Sequence, residues 1–254
     1  MILQGSYDLY INNACNLHCQ KCSVLDWNGE ATIHHMDMWE IKRIFDKMKK
    51  LCLTFEEIKI VGGEPTLHKQ FPQIVNYIRN EHTTHQKLTV ISNGLNLTDE
   101  VVNSLLKVDR VVFSVYPGMP IENDIIESGL HKKLQSVEYW HQDYFLHLKE
   151  PSKMVEVMGT TPEKNWNMCY VKDNCLTITE AGLYRCVVAM NDRSDLCEWN
   201  DADEVKTYVE RDAPLAACTD CCWPPKKKPW KSLNAKADNK NYNKGLELIR
   251  SVNV

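Results

Sequence analysis

YDLYINNACNLHCQKC, residues 7–22, joins a strand to a loop of unusual chemistry. YDLYI (7–11) reads as a strand, and Cys15, Cys19 and Cys22 lie in the loop that leaves it. Outward from this stretch, strand and helix signals alternate. MDMWEIKRIFDKMKKL (36–51) places Met38, Ile41, Ile44, Phe45 and Met48 at helical spacing, with Asp37 as a cap near its start. EIKIV (57–61) is a strand ending at Gly62-Gly63, and FPQIVNYIRN (71–80) is a helix. KLTVIS (87–92) is a strand ending at Asn93-Gly94, and TDEVVNSLLKV (98–108) is a helix capped by Thr98. RVVFSV (110–115) is a strand ending at Tyr116-Pro117-Gly118. A helix is expected within 121–137 and a fifth strand at YFLHL (144–148).

This alternation predicts an α/β fold. Right-handed crossovers give a parallel sheet with helices outside, open or curled into a partial (βα) TIM-like barrel. Such folds build their sites at the C-terminal strand ends. The cysteine loop, GGEP (62–65), SNG (92–94) and SVYPG (114–118) should therefore face one mouth. After residue 150 the pattern breaks, which divides the chain into a core (1–150) and a small cysteine-rich hairpin and helix region (151–254). There CLTITEAGLYRC (175–186) reads as a hairpin, 201–212 as a short helix, 218–231 as a proline-broken loop and 243–252 as a final helix. A bound metal or cluster would help to hold so small a region.

The 254 residues suffice for one substantial core, and a net charge of −4 lacks the basic excess of a nucleic-acid binder. No apolar run is long enough to cross a bilayer, and MILQGSYDLY lacks the features of a signal peptide, so a cytoplasmic location is expected. Eleven cysteines in a reducing compartment favour metal or cluster binding over disulfides. Three fall in 15–22 and seven in 169–222; Cys52 alone reads as a packed core thiol.

Three thiolates at this spacing can hold three irons of a 4Fe-4S cubane and leave the fourth open. A zinc site with a distant fourth cysteine is the alternative, although CxxxCxxC is not typical of zinc knuckles. CxxxCxxC after the first strand with GGEP after the second resembles the radical S-adenosylmethionine (radical SAM) superfamily, over about the first 120 residues. The resemblance implies that SAM chelates the open iron. One-electron reduction then yields methionine and a 5′-deoxyadenosyl radical that takes a hydrogen atom from substrate. It implies that Gly62, Gly63, Glu64 and Pro65 bind the SAM amino group. Asn93 and Ser114 would meet its ribose, its carboxylate or the substrate. Lys21 stands where many members carry an aromatic residue, and the family's glycine-rich motif near strand five is not evident.

The second cysteine group resembles the Twitch auxiliary-cluster region, a shorter relative of SPASM. Cys169 and Cys186 bracket the hairpin and Cys218 and Cys221 form CxxC, so these four would close a second 4Fe-4S cluster or, alternatively, a structural zinc site. Cys175, Cys197 and Cys222 are rivals for these places. Short Twitch proteins include aminocyclitol dehydrogenases, which pass an electron from the substrate radical to the auxiliary cluster, and sugar epimerases, which return a hydrogen atom. The expected substrate is a small polar metabolite, a sugar or cyclitol, and flavodoxin or ferredoxin the expected electron donor. His147 is the candidate base and an unligating cysteine, Cys175, Cys197 or Cys222, the candidate hydrogen donor, with Tyr116, His68 and Arg185 as further candidates facing substrate. PPKKKPWK (224–231) reads as a solvated basic loop. A peptide-modifying enzyme is the rival function, against which the chain starts directly at strand one. A non-catalytic zinc or cluster protein is the rival from another class.

Overall fold

The computed structural model describes residues 1–17, 19, 22, 35–142, 144–146, 161–169, 172, 176–186, 190, 193–219 and 227–229. The first part runs β1 (Ile2–Asn12), α1 (Met38–Lys50), β2 (Thr54–Gly62), α2 (Phe71–Asn80), β3 (His85–Ser92), α3 (Asp99–Leu105), β4 (Arg110–Val115), α4 (Ile121–Glu127), α5 (Leu130–Lys133) and β5 (Val137–His141). The second runs β6 (Tyr144–Leu146), α6 (Pro162–Asn167), β7 (Leu176–Ile178), β8 (Leu183–Tyr184), α7 (Ala202–Glu210) and β9 (Lys227–Pro229). Short 3-10 turns lie at Pro65–Leu67, Arg193–Asp195 and Ala216–Thr219.

Local chemistry sets the elements. Asp37 accepts from the backbone N–H of Trp39 and Glu40 at 2.8 Å each, and Glu40 reaches back to the Asp37 N–H at 2.6 Å. This capping box starts α1, whose stripe Ile41, Ile44, Phe45 and Met48 is buried. Thr98 caps α3 through the Val101 N–H.

The main sheet has the order β5-β4-β3-β2-β1-β7-β8, parallel throughout except for β8, which returns antiparallel beside β7. One face carries Leu9, Ile11, Ile58, Ile60, Leu88, Val90, Val111 and Phe113 into the core shared with the helices. The alternate residues include several charged or polar side chains. Lys59 Nζ lies 2.8 Å from Asp8 Oδ1, and Arg110 joins Glu57 at 2.5 Å to Glu138 at 2.8 Å. Thr89 adds a hydroxyl to Glu57 at 2.5 Å. Both charges of the Asp8–Lys59 pair are buried, an arrangement tolerated only while the partners stay together.

Four expectations are corrected. The fifth parallel strand is Val137–His141, which is half exposed at the sheet edge and so carries little apolar signature. Tyr144–Leu146 instead pairs antiparallel with Lys227–Pro229, so the basic loop contains a strand. The helix expected within 121–137 is two short ones, separated at Gly129 (φ 76°). Cys52 is exposed rather than packed. It takes a left-handed conformation (φ 51°) just past α1, its N–H bonded to the Lys49 carbonyl, and this turns the side chain outward.

The hairpin of β7 and β8 is present, but β7 also pairs parallel with β1, Asp8 opposite Thr177. Gly182 makes the turn: its φ is 155°, and a Cβ there would overlap the Cys197 carbonyl, with Cys197 C at 2.8 Å. The final helix expected at 243–252 lies outside the described residues.

His85 opens β3 nearly fully buried, and desolvation pushes its imidazole down to about 4. The unfolded chain protonates it near its ordinary value of 6.5, so the stability it protects is complete above 6.5 and lost as pH falls toward 4. Lowering the pH from 7 to 5 should cost about 2 kcal/mol at this residue. Urea denaturation at both pH values checks this, with His85→Gln expected to flatten the dependence.

Candidate active site

The C-terminal end of β1 is clasped to that of β2. Gly63 N–H donates to the Asn12 carbonyl at 2.9 Å and Glu64 N–H to the Ala14 carbonyl at 2.7 Å. Asn12 Nδ2 returns a bond to the Glu64 carbonyl at 3.1 Å. The glycines permit this approach. A Cβ on Gly62 would lie 2.7 Å from Asn12 Oδ1, and one on Gly63 2.7 Å from the Ala14 carbonyl carbon. The loop so fixed is the one that carries Cys15.

Glu64 knots β2 to β3. Its carboxylate, 1% exposed, accepts from Thr66 N–H (3.1 Å), Thr66 Oγ1 (2.6 Å), Ser92 Oγ (2.8 Å) and Asn93 N–H (2.7 Å). Burial pushes this carboxyl up, against the pull of those hydrogen bonds. Asn93 in turn accepts from Leu95 N–H at 3.0 Å, and its Nδ2 donates to Asn16 Oδ1 at 2.7 Å and lies 4.0 Å from Cys15 Sγ. The β3 terminus thus reaches the cysteine loop.

Cys15, Cys19 and Cys22 are each half-buried. Burial raises the Cys15 thiol to about 12, with the Glu64 carboxylate and the other two thiols adding to it. Tyr116, just past β4, feels the same group: burial raises its phenol, followed by Cys19, Cys22, Cys15 and Glu64. Three soft donors therefore face one mouth, with an amide N–H near one sulfur, a set that fits a cubane. Among the described residues no three His, Cys, Asp or Glu side chains converge tightly enough for a single metal ion, whereas a cubane spreads three thiolates over three irons. Ser114 is buried near the end of β4.

A second gathering lies in the C-terminal part. Cys169, Cys186 and Cys218 line one small cavity with Trp166 and Lys172. Asn165 Nδ2 holds the Cys218 carbonyl at 3.2 Å, and Asp195 accepts from the N–H of Ala216 and Ala217 at 3.0 Å each. Burial pushes the Cys218 thiol up, and Cys169 adds to this. Cys197 is elsewhere, 2% exposed in the main core with its sulfur 3.9 Å from Glu204 Oε1.

Residues 9–130 match the model of the radical SAM superfamily. The chain carries a radical SAM domain. It is 29% identical over 164 residues to the tungsten-containing aldehyde ferredoxin oxidoreductase cofactor-modifying protein of Pyrococcus furiosus, covering 60% of this chain and 43% of that one. It is 31% identical over 98 residues to the mycofactocin maturase MftC of Mycolicibacterium smegmatis, covering 39% and 23%. The chain thus spans less than half the length of these relatives. Among solved structures it is similar to BtrN in complex with AdoMet and 2-DOIA, with TM-score 0.57, 18% identity and 83% of each chain covered. Streptococcus suis SuiB bound to precursor peptide SuiA gives 0.53, 12% identity, 85% of this chain and 69% of that one. These likenesses establish the partial barrel fold.

Members of the radical SAM superfamily use a 4Fe-4S cluster and SAM, and the matched span of this chain holds Cys15, Cys19, Cys22 and Gly62-Gly63-Glu64-Pro65. No helix among the described residues is long and apolar enough to cross a membrane.

Two candidates for substrate contact have other work. His68 is buried, with Nε2 3.0 Å from the Met36 carbonyl and Nδ1 accepting from Gln70 N–H, so it ties the 3-10 turn to the chain entering α1. Arg185 is buried and donates to the carbonyls of Tyr208, Val209 and Arg211 at the end of α7. Lys21, His147, Cys175, Cys221 and Cys222 lie outside the described residues. Asn12 and Asn16 escaped the sequence reading. Their signal is polarity at a strand end in the same mouth.

Proposed function

We propose that this radical SAM enzyme acts on a small polar metabolite, a sugar or cyclitol, by dehydrogenation or epimerisation. In this reading Cys15, Cys19 and Cys22 ligate the SAM-binding 4Fe-4S cluster. Gly62, Gly63, Glu64 and Pro65 shape the place of the SAM amino group, and Asn93 and Ser114 meet SAM or substrate. Bound together, cluster and SAM supply a 5′-deoxyadenosyl radical that removes a hydrogen atom. The protein's own part is positional. The Gly63 and Glu64 backbone fixes the cysteine loop, and the Glu64 carboxylate holds the strand ends against it.

The observation that carries the oxidative branch is the convergence of Cys169, Cys186 and Cys218 on one cavity. With Cys221 they would hold an auxiliary 4Fe-4S cluster able to take the electron that a dehydrogenation releases. The likeness to BtrN covers 83% of this chain, more than the proposed 1–150 core alone would supply. We place the enzyme in the cytoplasm, reduced by flavodoxin or ferredoxin. His147 and Cys175 are kept as proposed base and hydrogen donor. Peptide modification is the second reading, favoured by the likeness to SuiB with its precursor peptide.

The test is anaerobic incubation with SAM, reductant and panels of cyclitols, amino sugars and peptides. The proposal expects 5′-deoxyadenosine to rise with one member of the first two panels. A product short of two hydrogens means oxidation, and an isomer carrying solvent deuterium means epimerisation. Turnover of peptides alone would replace the proposal with the second reading.

A further inference from the structure

Two cations lie against the Trp166 ring. Lys172 Nζ lies 4.9 Å and the Arg185 guanidinium carbon 5.1 Å from its ring centroid. Trp166, 3% exposed, and Lys172 line the same cavity as Cys169, Cys186 and Cys218. Arg185 is fixed by the helix-end carbonyls described above, and its other arm donates to the Lys172 carbonyl at 3.3 Å. Lys172 is itself only 17% exposed at its side chain, and the carboxylate nearest it, Asp212 at 3.7 Å, is 85% exposed. A solvated carboxylate compensates a buried ammonium weakly. Two cations held beside one ring are costly to desolvate unless an anion shares the space. A four-thiolate iron–sulfur cluster is such an anion, and it becomes more negative on taking an electron.

We propose that Lys172, backed by Arg185, compensates the charge of the C-terminal cluster and raises its reduction potential, making it an electron acceptor. The inference rests on the reading of these cysteines as cluster ligands. It favours dehydrogenation over epimerisation. The substrate radical gives up its hydroxyl proton to a base and one electron to the oxidised cluster, closing the carbonyl. Oxidised ferredoxin or flavodoxin then removes that electron. Lys172 touches neither substrate nor SAM in this account; it acts through its field on the cluster.

The test uses the full chain with Cys15, Cys19 and Cys22 replaced by alanine, so that the C-terminal cluster alone reports. Iron content and an EPR-monitored redox titration are compared with and without Lys172→Met, Lys172→Arg and Asp212→Asn. About four irons per chain are expected throughout. Lys172→Met should weaken electron affinity about tenfold, a fall of about 59 mV. Lys172→Arg should hold the potential, and Asp212→Asn, which keeps an oxygen to accept the Trp166 indole N–H 3.0 Å away but removes the charge, should raise it. Iron lost only from Lys172→Met also supports the role of the charge. Potentials unmoved with iron retained overturn the proposal and leave the cluster reading standing. An iron-free parent chain overturns both.

Discussion

Alanine at Cys15, Cys19 and Cys22 together should lower iron from about eight to about four per chain after anaerobic reconstitution and abolish 5′-deoxyadenosine formation. The expectation follows from where these thiols sit. They are the cysteines of the mouth at the β1 and β2 ends, and the second group occupies a cavity built by other elements, α6 and the Ala216–Thr219 turn. Loss at one site should therefore leave the other loaded. Iron measured beside zinc gives the second half of the result. A fall from about four to none with zinc retained would make the C-terminal cysteines a structural metal site. The argument for an electron sink would then be gone, and redox-neutral chemistry would lead. Folding is not at stake in the expected outcome, because the strands and α1 draw their stability from the shared apolar core.

Much of this arrangement could be read from local sequence, where a residue's neighbours in the chain decide its place. Phe71–Asn80 and Arg110–Val115 begin and end where their apolar spacing and flanking residues say. Asp37 and Thr98 cap as their chemistry predicts. The mouth was legible for the same reason: the polar segments directly follow strands. What escaped the sequence depends on contacts distant in the chain. Val137–His141 becomes a strand because β4 offers an unpaired edge, whereas YFLHL looks more strand-like in isolation. The pairing of Leu176–Ile178 with β1 joins segments more than 160 residues apart, and no local pattern encodes it. Asp8 and Lys59 each interrupt an apolar strand with a charge, a signal that could have been read as a pair had the register been known. His68 and Arg185 looked like chemistry and serve as ties, since burial and backbone partners decide between the two roles.

Gly63→Ala should empty the first cluster site while the fold survives. The new Cβ would lie 2.7 Å from the Ala14 carbonyl carbon and 2.8 Å from the Asn13 carbonyl oxygen, and it would overlap the Ala14 oxygen outright. All of these are backbone atoms, so no side-chain rotation relieves the clash. Either the Glu64 N–H bond to Ala14 breaks or the loop shifts away, and Cys15 is the next residue along it. Overpacking of this kind costs about 1–3 kcal/mol, which a core of this size absorbs. A ligand loop displaced by about an ångström loses its metal geometry more readily than the sheet loses its packing. The result to look for is iron falling by about four per chain, an unchanged far-ultraviolet circular dichroism spectrum and no 5′-deoxyadenosine. Gly118→Ala is the control. Gly118, unlike Gly63, has positive φ (77°) and open space around it, so its substitution carries backbone strain without a clash. If Gly63→Ala keeps its iron and its rate, the clasp between the strand ends does not position the cysteines. The paired glycines would then be there for close approach of SAM itself, a role that weakened SAM binding at full iron content would reveal.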